Sequence, residues 1–168
     1  MSGSLKNDFT MKKICLILLI GMNLQVLAQD IPFIKKETLQ QWINADSDTI
    51  YVLNFWATWC APCVEELPAF EKLHREYSSK KVKVVLISTD FKRNVESRVK
   101  PFVKRKKLQS QVVFMDEPNP NHWVNAVSPE WSGALPATLI IHNRKDKYLF
   151  FEKQLNYETL EEIVKTIL

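Results

Sequence analysis

At 168 residues, with 46% hydrophobic and 25% charged side chains, the chain holds enough apolar material for one domain with a real core and too little for two. Of the formal net charge of +4, residues 1–28 supply two charges through Lys6, Lys12, Lys13 and Asp8. The remaining charge is close to neutral for a chain this size, which excludes a nucleic-acid partner as the expectation. Three glycines leave no flexible linker, and the prolines after residue 115 concentrate loop there.

The first segment reads as a leader. Met11-Lys12-Lys13 is a basic start, residues 14–20 are apolar, and the run continues more weakly to Val26-Leu27-Ala28. This pattern predicts a signal peptide over 11–28 with cleavage before Gln29, hence export to the periplasm or cell envelope and a single domain over 29–168. An uncleaved membrane anchor is the alternative, although Asn23 and Gln25 interrupt the run. Residues 1–10 carry no evident chemistry. Cys15 falls inside the leader, so the exported chain keeps only Cys60 and Cys63.

From there the predicted elements alternate. Residues 37–44 read as a short helix, with Leu39, Trp42 and Ile43 on one face. Residues 49–56 are β-branched, aromatic and mostly apolar, as a buried strand should be. A helix is predicted over 62–77, interrupted and kinked by Pro68, and a second buried strand over 81–89. Another helix is expected over 94–107, irregular at Pro101, then a strand over 111–115 and loop to His122. Its basic side chains, from Arg98 to Lys107, read as a solvated face before they read as a docking patch for an acidic partner. A helical turn over 122–127 and another around Trp131 follow. The strand at 138–142, a turn at 143–146 and a strand at 147–152 make a hairpin, and Asn156 caps a last amphipathic helix. Parallel strands joined by helices and closed by an antiparallel pair describe an α/β fold: a central mixed sheet flanked by helices.

The chemistry sits between the first buried strand and the helix after it, in Trp59-Cys60-Ala61-Pro62-Cys63. Two cysteines two residues apart close a ring too small to restrain much of the unfolded chain, so reactivity explains them better than scaffolding. At a helix N-terminus the first thiolate would be stabilised by orphan N–H groups and the helix dipole, as thiol–disulfide exchange needs. Cys60 is the candidate nucleophile and Cys63 the resolving thiol. A metal site lacks ligands: His74, His122 and His142 are far apart in sequence and unpaired in spacing. Val64 after Cys63 excludes covalent haem attachment.

Phe55-Trp56-Ala57-Thr58-Trp59-Cys60-Ala61-Pro62-Cys63, then Glu66 and Pro68, then Leu135-Pro136-Ala137-Thr138, resemble the thioredoxin fold and within it the exported TlpA/ResA-like branch. The resemblance covers the chain from about residue 49 to its end and implies an extra helix and strand before a cis-proline, here Pro136. It implies a dithiol–disulfide cycle with no other cofactor and no metal, acting on protein thiol or disulfide clients, with apocytochrome c a candidate among them. It also implies a membrane-bound thiol donor that recharges the pair, and a monomer. It assigns Trp59, Ala61, Pro62, Leu135 and Pro136 to client binding, with the Leu135 backbone beside Cys60, and a reducing character to the proline next to Cys63. Asn54 stands where cytosolic members hold a buried acid, so Glu66 becomes the candidate proton carrier. Three alternatives stay open on the residues alone. Trp59 is a docking surface or core, Glu66 lies under the cysteines or in solvent, and Pro136 is cis or a plain strand-entry proline. A peroxidase would need proline and threonine where Leu53 and Ala57 stand. A copper carrier or a non-enzymatic binding module on the same fold is the remaining alternative.

Overall fold

The computed structural model describes residues 30–168; the leader and its cleavage point lie outside the described residues. Six strands form one sheet: β1 (Phe33–Ile34), β2 (Ile50–Trp56), β3 (Val82–Ser88), β4 (Gln111–Met115), β5 (Ala137–His142) and β6 (Lys147–Phe151), in the order β1-β4-β3-β2-β5-β6. The pairs from β1 through β2 are parallel, and β5 and β6 run antiparallel. The helices are α1 (Lys36–Ile43), α2 (Ala61–Tyr77), α3 (Lys100–Lys106), α4 (Val124–Val127) and α5 (Tyr157–Ile167). None among the described residues is long and apolar enough to cross a membrane.

The period of two along the strands divides the core. Val52, Trp56, Val84, Leu86, Val112 and Ile140 face the side covered by α2, α3 and α5, where Leu67, Phe70, Phe102, Leu160 and Val164 meet them. Leu53, Phe55, Val85, Ile87, Leu139 and Ile141 face the side of α1 and α4, against Leu39, Trp123, Val127 and Trp131. On the central strand β2 nearly every residue is buried, because helices cover both faces.

Several expectations need correction. β1, a two-residue strand on β4, has too little sequence to carry an alternation signal. α2 starts at Ala61 and runs on through Pro68, whose exposed ring sits on the solvent side of the helix. The single helix expected over 94–107 is three pieces: a 3-10 turn (Lys92–Asn94), a π segment (Val95–Val99) and α3. Pro101 has no N–H to offer the preceding turn, and the chain opens to wider hydrogen bonding just before it. No helix forms around Trp131. Ser128 Oγ accepts from Glu130 N instead, and Trp131 Nε1 donates to Ala134 O at 2.8 Å. The hairpin turn closes on Asp146, which takes the left-handed conformation without being a glycine (φ 51°).

The proline-rich stretch is ordered by aromatics. Trp123 and Trp131 sit 5.6 and 4.7 Å from Phe55, and 5.3 Å from each other, between ring centroids. Tyr148 donates to Val127 O and Glu152 accepts from Ser132 and Ala134. This packing delivers the chain into the Leu135–Pro136 peptide bond, which is cis.

Candidate active site

Cys60 is the N-cap of α2 and is joined to Cys63 by a disulfide. Its backbone is extended while the next residues turn helical, and Cys63 N–H points at Cys60 Sγ over 3.3 Å. Ala61 and Pro62 fill the first helical positions, exposed, where a missing proline N–H costs nothing. A negative charge forming on Cys60 Sγ would therefore meet an N–H donor and the positive end of a 17-residue helix. Cys60 is only 6% exposed and Cys63 is buried, so the sulfurs are recessed. Trp59, one residue before them, is 59% exposed: it stands on the surface, while Trp56 is core.

Below the disulfide lies a polar cluster inside the apolar core. Asn54 and Thr138 are direct cross-strand partners, and their parity turns both toward α2. Glu66, one turn after Cys63 on the inward side of α2, meets them at 2% exposure. Its Oε1 accepts from Asn54 Nδ2 at 2.7 Å and its Oε2 from Leu155 N at 2.8 Å. Asn54 Nδ2 also donates to Thr138 Oγ1 at 3.1 Å. Burial pushes the Glu66 carboxyl up to about 7, against the two donors that favour its charged form. Asn54 Oδ1 has no partner among the described residues. A half-turn of that amide would offer Oδ1 to a protonated Glu66, so one side chain serves either charge state. A surface cleft beside this cluster is lined by Glu65, Glu66, Ala69 and residues 154–157.

A second buried carboxylate holds the loop before the disulfide. Asp90 Oδ2 accepts from Thr58 N and Ser88 Oγ, both at 3.0 Å, and Oδ1 accepts from Thr58 Oγ1 at 2.5 Å. Thr89 N donates to Trp56 O at 2.8 Å beside it. Pro136 is buried and Leu135 half-buried; the β2–β5 register, in which Phe55 faces Ala137, carries Leu135 toward Ala57.

A family model described as the AhpC/TSA family matches residues 26–146. The chain belongs to the AhpC/TSA family. Among its relatives, thioredoxin-like protein YneN of Bacillus subtilis (strain 168) is 47% identical over 51 residues, 30% of this chain and 29% of that protein. Thiol-disulfide oxidoreductase ResA of Halalkalibacterium halodurans is 27% identical over 115 residues, 68% of this chain and 60% of that protein. The matches thus span less than two thirds of the length of either relative. A thioredoxin-related protein from Neisseria meningitidis serogroup B superposes with a TM-score of 0.62 at 23% identity, over 73% of this chain and 87% of that one. The fold is therefore the thioredoxin fold, and the likeness within the AhpC/TSA family is to proteins of the TlpA/ResA type.

The structure brings Trp59, Cys60, Ala61, Pro62, Cys63 and Glu66 together at one end of α2, with Leu135 and Pro136 at the start of β5 alongside. Sequence reasoning missed Thr138, the Leu155 N–H and the Asp90–Thr58 pair, and took Asn54 only as a lost acid. Parity along β2 and β5 carried the signal for Asn54 and Thr138; nothing local could have found Leu155, 89 residues from Glu66.

Proposed function

We propose that this AhpC/TSA-family protein is an exported thiol–disulfide oxidoreductase that reduces client protein disulfides through a Cys60/Cys63 cycle. The observation that carries the reading is a Cys-x-x-Cys disulfide at a helix N-terminus above a buried carboxylate that titrates near neutrality. In the reduced protein the Cys60 thiolate attacks one sulfur of a client disulfide, forming a mixed disulfide and releasing the client's other sulfur as a thiolate that takes up a proton. Cys63 gives its proton to Glu66 and attacks Cys60 Sγ. The Cys60–Cys63 disulfide closes and the second client sulfur leaves, also to be protonated. Two electrons and two protons pass to the client, and an external dithiol, in this reading a membrane-bound donor, returns the pair to its reduced form. The disulfide is the only redox group required.

In the same reading the protein acts as a monomer in the periplasm or envelope, and apocytochrome c cysteines are a candidate client. Trp59, Ala61 and Pro62 form the contact surface, and the Leu135 backbone pairs with an extended client segment in strand fashion. Glu66 acts through Cys63 and is a proton carrier.

The cycle is tested by stopping it half-way. Cys63→Ser should accumulate a covalent client–Cys60 adduct, seen as a mass increase reversed by dithiothreitol, while Cys60→Ser should form none. An adduct that forms equally on Cys60→Ser contradicts the assigned order of attack. No adduct on either variant, together with copper retained through purification, would move the metal-carrier reading to the front.

A further inference from the structure

The two most exposed large hydrophobic side chains among the described residues are Trp59, at 59%, and Phe91, at 61%. They lie on neighbouring loops. Thr58 and Asp90 are tied by two hydrogen bonds, Thr89 is tied to Trp56, and the aromatics are the residues that follow Thr58 and Asp90 on the two loops. A buried carboxylate with both oxygens bonded thus ties the loop that carries Phe91 to the loop that carries Trp59 and leads into the disulfide. Phe91 belongs to neither buried core cluster, whereas its neighbour Asp90 is buried and bonds the loop before the disulfide.

The surroundings of Phe91 carry positive charge. The Arg93 guanidinium lies over the Phe91 ring, 5.2 Å from its centroid. Lys92 is engaged by Asp116 at 2.9 Å and Lys100 by Glu96 at 2.7 Å, but no carboxylate among the described residues pairs with Arg93. A cation stacked on an exposed ring and left unpaired presents an apolar plate with a positive edge.

We propose that Phe91 and Arg93 form a client-recognition subsite, which selects extended cysteine-bearing segments carrying an apolar side chain and a carboxylate beside the cysteine. The proposal rests on the oxidoreductase reading and specifies its substrate class. In this proposal the client brings its disulfide to Cys60, which is only 6% exposed, and its flanking side chains meet Trp59 and Phe91 on the two adjoining loops. Apolar burial on Phe91 and charge pairing with Arg93 then decide which segment is held long enough to react.

The test uses pre-reduced protein in single turnover with two disulfide-closed peptides of equal ring size, one flanked by leucine and glutamate and one by serine and lysine. Hydroxyethyl disulfide serves as a featureless control for the chemistry. Wild-type protein should reduce the leucine–glutamate peptide at least roughly tenfold faster, and added salt should narrow that ratio. Phe91→Ala should lower the ratio, Phe91→Leu should restore most of that loss, Arg93→Glu should lower it through the charged position, and the double variant should bring it to unity or below. A ratio near unity in the wild type, or one that the variants leave unaltered while slowing both peptides equally, overturns the subsite. Failure of the wild type to reduce hydroxyethyl disulfide overturns the oxidoreductase reading and the subsite with it, whereas failure of the ratio alone leaves that reading standing.

Discussion

Glu66 keeps a carboxylate where water barely reaches it, and the cost is visible in its titration. Its value of about 7 lies above the ordinary 4.5, so between those limits the folded chain binds a proton that the unfolded chain releases. The stability this group contributes is therefore full below pH 4.5 and is lost as pH rises through 7. Glu66→Gln removes the titration while keeping the size. With the disulfide intact, we expect the variant to gain on the wild type by up to about 3 kcal/mol in moving from pH 5 to pH 8. Urea unfolding at both pH values reads this directly; a difference that does not change with pH would mean that Glu66 is already charged at pH 5. The same residue shows how far sequence reached. Its place one turn after Cys63 was legible from helical spacing. Its burial was not, because Glu65 beside it is exposed and the two differ only in which side of α2 faces the sheet.

At the scale of elements, α5 does more than cover the sheet. Asn156 Oδ1 accepts from Thr159 N at 2.9 Å as its N-cap, and the residue before the cap, Leu155, sends its N–H to Glu66. The cap thus fixes the amide that helps to hold the buried carboxylate. Asn156→Ala should cost about 1 kcal/mol in denaturant unfolding at pH 8, where Glu66 is charged, and less at pH 5, where the carboxyl needs fewer donors. An equal loss at both pH values would confine Asn156 to capping. The helix and its cap were plain in the sequence, since asparagine before an i, i+3, i+4 apolar pattern has a local cause. The π segment at Val95–Val99 and the absence of a helix at Trp131 were not. Pro101 and Ser128 act there by competing for backbone hydrogen bonds, and the outcome depends on tertiary contacts such as Phe102 on Trp56 (5.3 Å) and Trp131 on Phe55.

For the whole molecule, the sheet order brings distant segments to one end. β2 lies between β3 and β5, so the loop after β2 meets the loop after β3 through Asp90 and the entry to β5 through Leu135–Pro136. Composition and alternation were enough to give a mixed sheet with helices on both faces. The pairing that sets Asn54 opposite Thr138 spans 84 residues and follows from register, which no local pattern specifies. The architecture leaves a recessed disulfide at a helix N-terminus, a buried carboxylate one turn further along that helix, and exposed aromatic side chains on the adjoining loops. The most direct test of that account is the reduction potential of the Cys60–Cys63 pair, measured at pH 7 by equilibrating the protein in defined dithiothreitol and glutathione buffers. The account predicts a single reversible two-electron couple at or below roughly −250 mV, in the range of thioredoxin-like reductants. A value above about −150 mV would contradict the reducing direction, and the absence of any reversible couple would contradict the oxidoreductase itself.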